Sequence, residues 1–268
     1  MTTKIAIIGL GFVGNAIHKS LNGWMSDDKI SLIDPAKGLN TPYSDIADYD
    51  AAFVCVPSPQ SADGTADTSI LESVLSNLSR VNFKGVIISK VTAPPAIYKW
   101  LNDLYPNLVH APEFLTAANA EQDYISGRFS IIGGAVTAYR NEAERIIRIT
   151  QTGLNDVLHC SIQEAALAKY SINSFLATKV VFMNELALLA DKLDCNWDTV
   201  KKAVILDKRI GTSHMQVPGP DGEYGFGGMC FPKDTSALIK CAEEAGASMS
   251  VLDTAVKTNL VLRLTEPK

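Results

Sequence analysis

The residue best placed for covalent chemistry is Cys230, in the run Gly225-Phe226-Gly227-Gly228-Met229-Cys230-Phe231-Pro232-Lys233-Asp234. Glycines let the backbone take φ > 0 and approach a ligand closely. Pro232 suits the first turn of a helix, where its missing N–H costs nothing. A thiol just ahead of a helix N-terminus feels the positive end of the dipole, which favours thiolate. Lys233 adds positive charge, and Asp234 sits one helical turn beyond the cysteine. This is the composition of a nucleophile. The same residues also fit a buried cysteine after a loop, so the rest of the chain decides between the two.

A second constellation opens the chain. Gly9-Leu10-Gly11-Phe12-Val13-Gly14 follows the short apolar run Ile5-Ala6-Ile7-Ile8 and precedes the helical pattern Ala16, Ile17, Leu21. In the order strand, glycine turn, helix, this is a dinucleotide fingerprint. Gly9 permits the tight turn, Gly11 admits the pyrophosphate and Gly14 lets helix pack on strand. The phosphates would face the helix N-terminus. A further strand, residues 29–33, ends at Asp34, where a carboxylate binds the ribose. An acid there repels a 2′-phosphate, which favours NAD over NADP.

The elements that must position these residues follow from periodicity. Apolar runs at 4–8, 29–33, 52–56, 86–89, 107–110 and 130–134 read as strands, and helical spacing lies between them. Cys55 falls inside the third run and reads as core. Pro57, Lys90–Pro95 and Glu113 fall at strand ends, on the carboxyl edge where cofactors bind in open α/β sheets. All the loops singled out are expected to converge there. His110 reads as an ordinary strand residue. The alternation predicts a doubly wound parallel sheet, the Rossmann plan, over residues 1–155. Residues 156–268 then form an all-α domain with one long helix over 161–193, opened by the capping box Ser161–Glu164. Lys169 and Asn173 share one face of it; on an amphipathic helix such residues usually face solvent.

Composition narrows the class. The chain has 268 residues, a net charge of −5 and a hydrophobic fraction of 47%, typical of a globular protein. Lys and Arg are spread rather than striped, so nucleic acid and anionic membranes are not expected partners. Five widely spaced cysteines argue against a disulfide framework and against a zinc site, and a cytoplasmic setting fits them. No stretch reads as long enough to span a bilayer.

Taken together, the motifs resemble those of the UDP-glucose dehydrogenase family, the NAD-dependent nucleotide-sugar 6-dehydrogenases. The match runs nearly the whole length. Gly9–Gly14 matches the dinucleotide turn, Cys55-Val56-Pro57-Ser58-Pro59 resembles a VPTP-like loop, and Lys90-Val91-Thr92-Ala93-Pro94 resembles a KSTVP segment. Pro112-Glu113-Phe114-Leu115 matches PEFL, the helix around Lys169 and Asn173 matches the central helix, and Asn184-Glu185 follow in place. Asp207-Lys208-Arg209-Ile210-Gly211 resembles DxRIG, and Gly225–Thr235 matches GFGGxCFPKDT.

The resemblance implies a two-step oxidation of a primary alcohol to a carboxylate with two NAD. Cys230 would capture the aldehyde as a thiohemiacetal, and loss of the second hydride would leave a thioester for water to hydrolyse. Lys169, Asn173 and Asp234 match polar residues around the reacting oxygen and its water, and Glu113 and Thr92 match residues at the hydrolytic water. Val56, Pro57 and Thr92 join the cofactor side, with Phe12 and Val13 of the turn. Phe114, Leu115 and Gly227 join the substrate side. Arg209 matches an arginine that reaches the neighbouring subunit's substrate, which implies a homodimer with the long helix at its core.

The sequence also departs from the family. A second Rossmann-like domain usually follows this helical region and holds much of the nucleotide, whereas here Leu264-Thr265-Glu266-Pro267-Lys268 follow, so the resemblance is to a short form without that domain. A glutamate usual four residues after Glu113 is Ala117. The loop Pro218–Tyr224 is longer than usual, which bears on the shape of the sugar site. Two alternatives stand beside nucleotide-sugar oxidation: a dehydrogenase of a smaller hydroxy compound, which would not need Cys230, and an inactive NAD-binding relic or subunit.

Overall fold

The computed structural model describes residues 3–21, 25–61, 64–116 and 119–266; Ala117, Pro267 and Lys268, singled out above, lie outside them. The chain forms two compact units, Met1–Ser61 with Ala66–Lys169, and Ala62–Thr65 with Tyr170–Lys268.

The first unit is a sheet with helices on both faces. Its strands are β1 (Ile5–Ile8), β2 (Ile30–Asp34), β3 (Leu39–Asn40), β4 (Ala51–Val54), β5 (Val86–Ser89), β6 (Leu108–His110), β7 (Phe129–Gly133) and β8 (Asp156–Cys160). Its helices are α1 (Phe12–Leu21), α2 (Ser69–Arg80), α3 (Pro95–Leu104), α4 (Ala120–Ile125) and α5 (Thr137–Thr150). Every residue of β1, β4 and β5 is buried, as expected of strands covered on both faces. Alternate residues serve the two cores. Ile5, Ile7, Phe53 and Ile88 pack with Ile17 and Leu21 of α1 and Ile146 of α5. Ala6, Ile8, Val54 and Ile87 pack with Leu71 and Leu75 of α2 and Leu101 of α3.

The strand order is β3-β2-β1-β4-β5-β6-β7-β8. The chain leaves β1 towards β2 and returns to β4 on its other side, so the order reverses at β1, where a doubly wound sheet places its ligand crevice. Two details differ from the sequence-based expectation. Strand β7 is antiparallel to β6, through the pair His110–Gly133, so its glycine turn does not join the loops at the carboxyl edge of β1, β4, β5 and β6. Cys55 lies just after β4 rather than inside it. The compact units divide at Lys169–Tyr170. The cause is that β8 pairs with β7 along all five residues, and Ile162 and Ala166 of the following helix join the sheet core.

That helix is α6 (Ile162–Lys192). Its capping box forms as expected: Ser161 N–H donates to Glu164 Oε2 (2.7 Å) and Glu164 N–H donates to Ser161 Oγ (3.2 Å). It continues into the second unit, which adds α7 (Trp197–Val204), α8 (Phe231–Glu244) and α9 (Ser250–Arg263). Ala177 and Val181 of α6 pack with Tyr224 and Phe226 and with Ala255 and Leu262 of α9. Contrary to the expectation that no stretch could span a bilayer, α6 is long and apolar enough to do so by length and composition alone. A third of its most apolar window is already buried (33%), and its polar residues Lys169 and Asn173 are paired within the protein.

The passage from sheet to long helix is tight. A Cβ on Gly133 would lie 2.6 Å from Ala165 Cβ and 2.7 Å from Ser161 O. Gly133→Ala is therefore expected to cost about 1–3 kcal/mol through overpacking. A lower urea midpoint with unchanged slope would show it; an unchanged midpoint would mean that this junction yields freely.

Candidate active site

At the reversal point each fingerprint glycine has its own reason. Gly9 takes φ +89, and a Cβ there would lie 2.8 Å from the Cys55 carbonyl carbon. A Cβ on Gly14 would lie 2.0 Å from Gly9 O, so α1 can pack this closely only with glycine there. Above Gly11 nothing lies within 4 Å, the open space a pyrophosphate requires. The Leu10 peptide is fixed from both ends: its N–H donates to Asp34 Oδ2 (2.8 Å), and its carbonyl accepts from Asn15 Nδ2 (2.8 Å) and Lys37 Nζ (2.5 Å). A cleft of about 700 Å³ opens here, lined by Gly11, Phe12, Lys19, Lys37 and Asn119 among others. Val13 is half-buried behind Phe12. Lys37 was not among the sequence-derived candidates, because a lysine in a surface turn carries no motif.

The next loops of the edge are tied to one another. Val56 is half-buried and Pro57 exposed. Ser58 Oγ donates to Thr92 O (2.7 Å), which joins the loops after β4 and β5. Below them lies a buried polar network that no motif announced. Tyr98 Oη shares a hydrogen bond with Ser89 Oγ (2.7 Å) and donates to Val91 O (2.5 Å). His110 stacks on Tyr98 with ring centroids 4.1 Å apart, its Nδ1 lying 3.1 Å from Ser89 O. Burial pushes the His110 imidazole down to about 3, so it is neutral and Nδ1–H donates to that carbonyl. Burial also pushes Lys90 down to about 8 and the Cys55 thiol up to about 12, which leaves Cys55 unreactive.

After β6 the chain passes to Glu113. Its Oε2 accepts from the Leu115 N–H (2.7 Å). Lys169, 4% exposed, donates to the Glu113 carbonyl (2.5 Å) and reaches Glu113 Oε1 (3.3 Å), its ammonium 5.2 Å from the Phe114 ring centroid. Lys169 thus does not face solvent, the ordinary fate of a polar helix residue. A buried cation held by a carboxylate and a carbonyl can stabilise a developing oxyanion.

In the second unit Cys230 is exposed and stands as the residue before α8, with the Asp234 N–H donating to its carbonyl (2.8 Å). Asp234 is 1% exposed and accepts from Asn173 Nδ2 through Oδ2 and from Lys233 Nζ through Oδ1, each at 2.5 Å. The glycine turn ahead of Cys230 is held by two buried asparagines. Asn184 Oδ1 accepts from the Gly225 N–H (3.0 Å). Asn259 accepts from the Phe226 N–H (2.7 Å) and donates to the Phe226 carbonyl (3.0 Å). Gly227 is half-buried beside them. Arg209 is exposed and clamped by Asp207 (Nη2–Oδ2 2.5 Å), while Lys179 holds its loop through Ile210 O (3.0 Å) and Gly211 O (3.3 Å). Among the described residues no group of three His, Cys, Asp or Glu side chains is placed to hold a metal.

Two family models match this arrangement. Residues 35–151 match the NAD binding domain of the UDP-glucose/GDP-mannose dehydrogenase family, and residues 163–260 match its central domain. The chain belongs to that family. The UDP-glucose 6-dehydrogenase of Rickettsia bellii is 33% identical over 227 residues, 80% of this chain and 50% of that protein. The solved UDP-glucose dehydrogenase of the archaeon Pyrobaculum islandicum is 25% identical, with a TM-score of 0.79 over 97% of this chain and 68% of that one. The 3-hydroxyisobutyrate dehydrogenase of Mycobacterium tuberculosis, 17% identical with a TM-score of 0.77 over 96% of this chain and 92% of that one, shares the fold. This chain spans about half the length of the family's curated relative just described. The family match makes NAD the cofactor, and the open space over Gly11 fits its pyrophosphate.

The neutral His110 has a consequence for acid stability. Its conjugate acid is favoured in the unfolded chain below about 6.5 and in the folded chain only below about 3. Between these values the unfolded state binds the extra proton, so stability falls as pH falls. His110→Phe keeps the ring stack and removes the titration. It is expected to lose about 3–5 kcal/mol less than the parent between pH 6.5 and pH 3, read from urea midpoints across that range; parallel curves would contradict the assignment.

Proposed function

We propose that this chain is an NAD-dependent oxidoreductase that converts the primary alcohol of a nucleotide sugar of the UDP-glucose type into a carboxylate. One observation carries the reading. Helix α6 presents Lys169 and Asn173 one turn apart, and each is committed to a carboxylate, Glu113 in one case and Asp234 in the other. Family membership supports it.

NAD, bound over Gly9–Gly14 and beside Asp34, Val56, Pro57 and Thr92, supplies the acceptor for each hydride. The chain supplies the rest. An aldehyde cannot surrender a hydride until something adds to its carbonyl, and the Cys230 sulfur adds, forming a C–S bond and a thiohemiacetal oxyanion. Lys169 and Asn173 stabilise that oxyanion. Departure of the second hydride leaves a thioester on Cys230. A water positioned by Glu113, Thr92 and Asp234 attacks it, the C–S bond breaks, and carboxylate and thiol are released. Per alcohol, two hydrides leave, one water is consumed and three protons are released. Phe114, Leu115 and Gly227 line the sugar.

A homodimer belongs to the same proposal. Phe175, Phe182 and Leu189 of α6 and Leu193 just beyond its end are all more than half exposed, at 69%, 55%, 52% and 62%. The first three recur every seven residues, a stripe suited to a second copy. Arg209 of one protomer would then serve the substrate of the other. Widely spaced cysteines support a reducing cytoplasm as the setting of this reaction.

With UDP-glucose the protein is expected to form two NADH per sugar. Cys230→Ala should abolish uronate formation, and Lys169→Ala should lower kcat about 100-fold or more. One NADH per substrate, with turnover kept in Cys230→Ser, would instead indicate a dehydrogenase of a smaller hydroxy compound. NAD binding without turnover on any nucleotide sugar would indicate an inactive subunit.

A further inference from the structure

Gly227 is not required by its backbone. Gly225 and Gly228 take φ +74 and +75, whereas Gly227 is not in the left-handed region. What a side chain at 227 would crowd is a guanidinium. A Cβ there would lie 3.0 Å from Nη2 and 3.1 Å from Cζ of Arg263, at the end of α9. Asn259, one turn earlier on the same helix, clamps the Phe226 peptide at 2.7 and 3.0 Å. Helix α9 therefore addresses consecutive residues of the glycine turn with an amide and then a guanidinium.

The guanidinium is also screened. Arg263 Nη1 donates to Asp221 Oδ2 (2.7 Å) and holds that carboxyl below its usual range. Asp221 sits in the long loop before the turn, closed by Gly222 N–H to Gly219 O (3.0 Å) and Gly219 N–H to Glu223 O (2.8 Å). The pair is partly exposed, at 31% and 44%, so exchanging one anion for another there costs little.

We propose that Arg263 is the phosphate-reading residue of the substrate site, seated on Gly227 and screened by Asp221 until a phosphate displaces the carboxylate. This rests on the nucleotide-sugar reading above. A planar fork of five N–H donors matches phosphate bidentately, and Asp221 takes one of them. A diphosphate carries more charge than a carboxylate and has the stronger claim on the fork. Gly227 is three residues from Cys230, at most about 10 Å of chain. That is a reach suited to a sugar whose far end bears the phosphate while its primary alcohol meets the thiol. Gly227, besides lining the sugar, thus leaves room for the residue that reads the phosphate.

The test is calorimetric binding of inorganic pyrophosphate and of NAD to the full chain, with UDP-glucose kinetics alongside. Arg263→Gln and Gly227→Ala are expected to weaken pyrophosphate at least tenfold and Arg263→Lys less. Asp221→Asn should tighten it severalfold, with NAD affinity unchanged throughout as the check on folding. The KM for UDP-glucose should follow pyrophosphate, with kcat within threefold. Pyrophosphate binding in Arg263→Gln within twofold of the parent, no binding in the parent, or weakening by Asp221→Asn would overturn the assignment. If nucleotide sugars turn over but their KM ignores Arg263, this inference fails alone. If pyrophosphate binds through Arg263 and no nucleotide sugar turns over, the functional reading fails and the phosphate site stands.

Discussion

A carboxylate that is 1% exposed must be paired, and Asp234 is paired twice, with the Asn173 amide and the Lys233 ammonium. Leaving such a charge alone would cost several kcal/mol. The first turn of α8 is therefore fastened to α6, and the residue that precedes α8 is Cys230. The position of Cys230, the nucleophile of the proposed reaction, is thus tied to a buried charge four residues away. The glycine turn ahead of it can hold conformations that few residues adopt, because Asn184 of α6 and Asn259 of α9 fix its backbone.

The carboxyl edge of the sheet relies on a different device. Lys90, His110 and Cys55 are each driven towards the neutral form by burial. Tyr98 belongs to the core on one face of the sheet, and Cys55 packs against the core on the other. Tyr98 joins Ser89 to Val91, His110 joins β6 to β5, and Ser58 joins the two neighbouring loops. Loops are usually the mobile part of a fold; here their roots are cross-linked by hydrogen bonds that are buried or, at Ser58, partly buried.

Much of this was legible in the sequence because it is local. The strand–glycine–helix order at residues 5–21, the Ser161–Glu164 cap and the length of α6 are all encoded within a few residues of where they act. What was not legible is set by partners distant in sequence. Strand β8, Asp-Val-Leu-His-Cys, is a half-buried edge whose pattern is too weak to announce it, and only its pairing with β7 reveals it. The reversal of β7 leaves no mark in its own residues. The Tyr98–His110 stack joins a helix to a strand, so neither residue signals the other. Nor do the residues around Gly227 announce the Arg263 guanidinium, 36 positions later, that lies against it.

The exposed stripe on α6 has a geometric corollary. A helix of 3.6 residues per turn falls about 20° short at each seven-residue step, so Phe175, Phe182 and Leu189 trace a slow left-handed drift around the cylinder. A second helix that followed all three could not lie parallel to α6 or cross it at the steep angle common among globular helices. It would incline by about 20°, the geometry of a coiled coil. The direction in which a neighbouring helix would have to run is thus written in the spacing of three side chains.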